Sequence, residues 1–392
     1  MTRALFSPTS TIRIGLLMAA VGTSAAFGGV ESGRDDAAGS HRLSTRDLES
    51  VHLAGEIAAH RSTSEFRAAQ ERDYGIDIGG LLQFRWIGNF RGDETGRSSV
   101  SPDDDSQGGF EFRRVELVFA GTTADPNLTY VVVLATEDGA MGVEQIIAQD
   151  VKLAYAFDEH WSISAGRYFA PFLREELIGG GGSLPVALSY MNNELSIGRA
   201  EGVSLLYGNE NFRGHAMFHD GAGSGGGGGV NNPFADTSDF AISGRLDLKL
   251  DGEWDQWGDF TSDGEQGLFF GGAAHFETGE TDVRVADEDY TIFAWTADAS
   301  WESDGWHLFA AVAGEHFDND QSANMDNIGV VGQVGYRMAD SPYEPFARYE
   351  AMFFDDTLGY AEDTVSIVTV GVNYHTTSYL KFGADVVWAL DP

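Results

Sequence analysis

The chain has 392 residues, no Cys and a formal net charge of −37. That acidity excludes a nucleic-acid binder, which needs clustered Lys and Arg to displace counterions. No run of 18 apolar residues exists, which excludes a helix that crosses a bilayer but not a barrel whose strands alternate apolar and polar. With 50 Gly, 12% aromatics and no disulfides to staple it, the fold must hold itself by strand pairing.

The first segment reads as an address. Arg3 and Arg13 give a basic start, Ile14 to Val21 an apolar run, and Ser24-Ala25-Ala26 a small-residue cleavage site. This is the pattern of a signal peptide spanning 1–26. Residues 27–73 are polar and lack β alternation; Leu48, Val51, His52, Gly55, Ile57 and Ala58 have loose helical spacing. That segment is either a periplasmic helix or a disordered linker, because too few heptads are present to decide.

From Tyr74 the period changes to two. Ile76, Ile78, Gly80, Leu82, Phe84 and Trp86 share one face, and Asp77, Gly79, Gln83 and Arg85 the other. Further strands are predicted at 110–121, 128–136, 149–157, 161–169, 203–207, 212–218, 240–250, 268–276, 290–301, 306–317, 328–336, 346–354, 365–374 and 380–388. Many reach the 9 to 11 residues or so that a membrane strand needs. Short turns at 158–160, 209–210, 303–304 and 376–377 alternate with long links such as 91–108, 171–198 and 220–238. Short turns at one end and long loops at the other are the habit of outer-membrane barrels. Trp86, Tyr155, Trp161, Tyr290, Trp301, Trp306, Tyr374 and Trp388 lie near strand ends, as interfacial girdles require. The fold class predicted is all-β, a transmembrane antiparallel β-barrel of about 16 strands over residues 74–392. Only about fifteen strands are legible, so the last one looks absent, and an unpaired edge in lipid is costly.

Three segments are similar to the phosphate-selective porin O and P family. Gly109-Phe110-Glu111-Phe112-Arg113-Arg114-Val115-Glu116-Leu117 resembles that family's second strand. Ser164-Ala165-Gly166-Arg167-Tyr168-Phe169-Ala170-Pro171-Phe172 resembles the strand that enters its third loop, and Arg199-Ala200-Glu201-Gly202-Val203 the strand after it. The resemblance implies a 16-stranded homotrimeric porin whose third loop, here Pro171 to Gly198, folds into the lumen. It brings Arg174, Glu175, Glu176, Asn192, Asn193, Glu194 and Arg199 toward a constriction. The chain departs from the family's basic pore: from residue 74 onward there are 16 Lys and Arg against 52 Asp and Glu. The missing last strand is a second departure.

Alternation itself gives lumen candidates: Gln83, Arg85, Arg114, Glu116, Lys152, Arg245, Asp247, Lys249, Arg348, Glu350, Lys381 and Asp385. A Lys or Arg facing lipid at mid-membrane costs about 2–4 kcal/mol, so these face inward or sit at an interface, where they set ion preference or pair with one another. Arg167 shares parity with Trp161 and Ile163, which requires a bulge or a place at the rim. No nucleophile elbow, phosphate loop or zinc-protease motif is present, and His215 and His219, four apart on a strand, are about 13 Å from sharing a metal. Asp103–Asp105 and Asp318-Asn319-Asp320 lack the calcium-loop pattern and read as solvated loops, and the glycine run at 225–229 as a linker. The function expected is an outer-membrane porin for passive diffusion of ions and small hydrophilic solutes, with anions such as phosphate implied by the resemblance. It is not an enzyme and needs no cofactor or metal; its partners are solutes and outer-membrane lipid. The alternative is a closed surface-adhesion barrel.

Overall fold

The structure, a computed structural model, describes residues 12–21, 75–90, 106–138, 144–178, 180–222, 238–261, 265–283, 286–319, 324–355, 364–377 and 380–390. The segment read as helix or linker at 27–73 lies outside them. In chain order the strands are β1 (Ile12–Val21), β2 (Gly75–Phe90), β3 (Ser106–Thr122), β4 (Leu128–Asp138), β5 (Glu144–Ala156) and β6 (Trp161–Phe169). Then come β7 (Arg199–Gly208), β8 (Phe212–His219), β9 (Ser238–Asp251), β10 (Gly267–Val283) and β11 (Ala286–Ser303). The series ends with β12 (Trp306–Asn319), β13 (Met325–Tyr336), β14 (Tyr343–Phe353), β15 (Thr364–Thr377) and β16 (Leu380–Ala389). Each pairs antiparallel with its sequence neighbour, and the sheet closes.

The fifteen strands from β2 to β16 are those legible in the sequence. The vacant place beside the last of them is taken by Ile12–Val21, which pairs antiparallel with β16 and with β2. The segment that reads as the core of a signal peptide is thus also the strand that closes the ring.

The short turns are built by Asx chemistry. Asp158 Oδ1 accepts from the backbone N–H of His160 (2.7 Å) and Trp161 (2.8 Å), and Asn209 Oδ1 from Asn211 (2.9 Å) and Phe212 (2.8 Å). Asp304 and Gly305 have φ of 50° and 85°, as a two-residue hairpin turn demands.

Alternation sorts the side chains as the sequence implies. Phe110, Leu153, Val203, Leu246 and Val370 stand exposed on the outside, an apolar belt that only lipid can cover. At the short-turn end the belt is edged by contacting rings: Trp161 with Tyr207, Trp306 with Tyr336, and Tyr343 with Tyr374. Tyr290 corrects the expected girdle. It faces inward and donates its hydroxyl to Glu277 (2.8 Å).

Candidate functional site

Residues 170–198, between β6 and β7, turn into the barrel. They carry two short helices, α1 (Arg174–Ile178) and α2 (Tyr190–Leu195), the second capped by Ser189 Oγ, which accepts from Asn192 N at 3.0 Å. A loop buried in this way must have its backbone groups satisfied. The wall supplies the partners. Gln83 on β2 donates to Gly180 O (3.2 Å), and Lys381 on β16 to Ser183 O (2.7 Å). Asn373 on β15 donates to Leu184 O (3.0 Å), Arg348 on β14 to Ala187 O (2.8 Å), and Arg245 on β9 to Phe172 O (2.8 Å). Asp385 accepts from Val186 N (2.8 Å), and Glu350 from Tyr190 N.

Apolar contact fixes the rest. Phe172, Leu173, Leu177, Ile178, Leu184 and Met191 of the loop pack against inward-facing Phe269, Phe309, Val331, Phe346 and Met352 of β10 and β12–β14. Each such side chain contributes about 1.5–3 kcal/mol on burial. The inner wall of this half of the barrel is therefore a core rather than a wetted surface.

A second insertion meets the first from the opposite end. The link from β9 to β10 leaves the short-turn end, yet Trp257 and Phe260 are fully buried inside. Phe260 N donates to Gly182 O (2.9 Å), so this turn presses on the loop's glycine run. Arg174 joins the two insertions. Its Nε and Nη2 donate to Trp257 O (3.1 and 2.9 Å), its Nη1 to Ser300 Oγ (2.8 Å), and rings of Trp257, Phe260, Phe269 and Phe309 surround it. Arg245 beside it pairs with Asp247 (2.7 Å) and Asp298 (2.8 Å). Sequence reading missed this turn. The available signal was three large aromatics, Trp254, Trp257 and Phe260, in a short acidic link on the side of tight turns.

The twelve lumen candidates all fall on the inward parity of their strands, but they separate into two groups. Gln83, Lys152, Arg245, Asp247, Arg348, Glu350, Lys381 and Asp385 are buried, most of them bonded to the loop, which corrects the expectation that they face water. Lys249 lies near the short-turn end, 3.7 Å from Glu253. Arg85, Arg114 and Glu116 are half-buried, with Arg85 paired to Glu111. Among the loop candidates, Arg174, Glu175, Glu176 and Asn192 are buried, Glu194 and Arg199 half-buried, and Asn193 exposed. Glu175 accepts from Ser189 N (2.7 Å), and Arg199 grips Asp150 through two bonds of 2.7 and 3.2 Å. Burial pushes the Glu176 carboxyl up to about 7, against the opposing pull of Arg199, and pushes Asp259 in the second insertion up to about 6. The strip formed by Arg85, Glu111, Arg114, Glu116, Asp150 and Arg199 is the mixed-charge wall that faces the inserted loop.

Arg167 sits opposite Val151 and Glu201 on the outward parity at the long-loop end of β6, one residue after Gly166. Gly166 has φ 135°, which a side chain there does not tolerate. His215 and His219 share the inward face of β8 without sharing a ligand, and no group of three or more His, Asp or Glu gathers for a metal among the described residues.

No family profile and no curated protein matches the chain. Solved structures do. An anion-selective porin from Comamonas acidovorans superposes with a TM-score of 0.51 at 12% identity, covering 81% of this chain and 99% of that one. The in-vitro folded trimer form of OmpT, an outer membrane protein of Vibrio cholerae, gives a TM-score of 0.50 at 14% identity over 81% and 99%. The chain is similar to these in fold, that of a porin-type outer-membrane β-barrel.

Proposed function

We propose that this chain is a porin of the bacterial outer membrane, exported with residues 1–26 as a removable signal, through which ions and small hydrophilic solutes diffuse without covalent chemistry. The observation that carries the reading is the inward loop 170–198, bonded around the wall of an apolar-belted barrel and facing a half-exposed strip of Arg85, Arg114 and Glu116. Size exclusion at the strip and its charge balance then govern passage. The resemblance to the phosphate-selective family supports a homotrimer and anion passage. Against anion passage stands the use of Lys381, Arg245 and Arg348 as loop anchors, so we infer a weakly selective channel. The apolar packing of the two insertions favours a second reading, a closed barrel serving as a surface adhesin. Purified protein in planar bilayers separates them: stable conductance steps are expected, and their absence from folded, inserted protein overturns the porin reading.

A further inference from the structure

One glycine of the inserted loop lies directly against a charged side chain of the wall. Gly180 O accepts from Gln83 Nε2 on β2 (3.2 Å), which draws the loop's backbone onto the wall at this point. A β-carbon built on Gly180 would stand 2.9 Å from Gln83 Nε2, 3.0 Å from Arg114 Cζ and closer still to Arg114 Nη1. Such approaches are repulsive, so the room that a side chain would need is the room that the Arg114 guanidinium fills. Gly180 is not among the residues with left-handed φ, so glycine serves there by its lack of a side chain alone. Gly182, two residues on, has neighbours of another kind. A β-carbon on it would lie 2.9 Å from Gly258 O and 2.8 Å from Ile178 Cγ2, where backbone and core block it. At Gly180 the blocking atoms are the tips of two flexible side chains. A methyl at 182 strains the packing between the two insertions, whereas a methyl at 180 moves a charge.

The wall has its own device for placing Arg114. Gln83 pairs with Arg114 and Phe84 with Phe112, so Arg113 is an extra residue in β3. Such a bulge bends the strand and re-aims the side chains beside it. Arg114 is half-buried, while Arg113 is exposed. The guanidinium so aimed crosses from β3 to the loop. There the Glu176 carboxyl of α1 is favoured as an anion by Arg199 and, less strongly, by Arg114. Glu116 lies two residues from Arg114 along the same face of β3. The positive charge of Arg114 can therefore stand on the loop side of the strip, beside Glu176, or on the wall side, beside Glu116.

We propose that Gly180 determines the ion preference of the strip: its missing side chain seats the Arg114 guanidinium at the loop, so that the positive charge spans the gap through which ions pass. The assignment rests on the pore reading. A methyl at 180 displaces the guanidinium toward Glu116, where the two charges cancel, and leaves the loop side to Glu176. Reversal potentials of the full chain in planar bilayers, in a KCl gradient at low salt, test this, with the folded band on unheated gels as the check on each variant. Gly180→Ala is expected to raise the K⁺/Cl⁻ permeability ratio about twofold over wild type, the scale of one pore charge. Arg114→Ala is expected to raise it at least as much. Gly180→Ala is then expected to add nothing to Arg114→Ala, because the group it displaces is gone. Arg114→Lys keeps the charge but not the flat fork that fits the seat, and is expected to shift the ratio the same way by less. An equal rise from Gly180→Ala in both backgrounds means that the loop itself has moved, and overturns the assignment. So does a wild-type ratio in folded Gly180→Ala or in Arg114→Lys, or a Gly180→Ala chain that fails to fold although only side-chain tips oppose it. If folded wild type conducts nothing, the pore reading has failed and the assignment with it; every other outcome leaves the pore standing.

Discussion

Arg174 shows how a residue's charge can be legible while its task is not. The family resemblance brings it toward a constriction. In the structure its side chain is fully buried, donating to Trp257 O and Ser300 Oγ within four aromatic rings, with Asp298 at 3.8 Å. Replacing it by Leu leaves two buried carboxylates to Arg245 alone, and breaking such a set costs about 3–5 kcal/mol. We expect Arg174→Leu to lower the unfolding midpoint in guanidinium, and Arg174→Lys to recover only part of it, because an ammonium lacks the fork that spans carbonyl and hydroxyl. Glu176 has a different signature. Its folded carboxyl, raised from 4.5 to about 7 by burial, binds a proton that the unfolded chain has released across that window. The folded state then holds more protons, so stability is full below about 4.5 and falls as pH rises through about 7. Glu176→Gln is expected to flatten that fall by up to about 3 kcal/mol between the two limits, measured from denaturant midpoints across pH.

At the scale of elements, period-two alternation found β2 to β16 because each carries polar residues inward and apolar residues outward. It could not find the inner core, since inward positions on β10 and β12–β14 are apolar as well, at Phe269, Phe309, Val331 and Phe346. Nor could it set Gly180 against Arg114, which meet only because the inserted loop folds onto β2 and β3. Ile12–Val21 is the exception among strands. Its neighbours in register on the inward parity are Gln83 and Arg85 of β2 and Lys381 and Asp385 of β16, while it contributes Ala19, Leu17 and Gly15 at those pairs. At each of these three pairs at least one neighbouring strand carries a polar residue. The apolar run from Ile14 to Val21 suits an export signal better than a lumen wall. We therefore expect the protein taken from outer membranes to begin after Ala26, as read by intact mass and N-terminal sequencing. A mature chain retaining Ile12 would assign the segment to the barrel instead. Cleavage leaves the facing edges of β2 and β16 to be closed by other pairing, because an open edge in lipid costs several kcal/mol per unsatisfied group.

For the whole molecule, the net charge of −37 is a poor guide to selectivity until each charge has a place. Lys381, Arg245 and Arg348 are spent on loop carbonyls, and Arg174 is sealed between the two insertions. The strip that remains sets Arg85, Arg114 and Arg199 against Glu111, Glu116 and Asp150, three of each sign. Beyond it, a cleft at the short-turn end is lined by Glu159, Glu210, Asp251 and Glu253 with His160 and Lys249, an acidic excess. We propose that ions leaving the strip pass this acidic cleft; the two together then enrich cations by a few-fold, an effect that salt screens over about 10 Å at 0.1 M. In a KCl gradient the reversal potential is expected to have the sign of a K⁺-preferring channel at low salt and to shrink toward zero as salt rises. Arg114→Gln should then strengthen the cation preference, while Glu253→Gln, at the mouth, weakens it. A reversal potential of the opposite sign that survives high salt would place the controlling charge inside the strip, and would return the anion passage implied by the family resemblance.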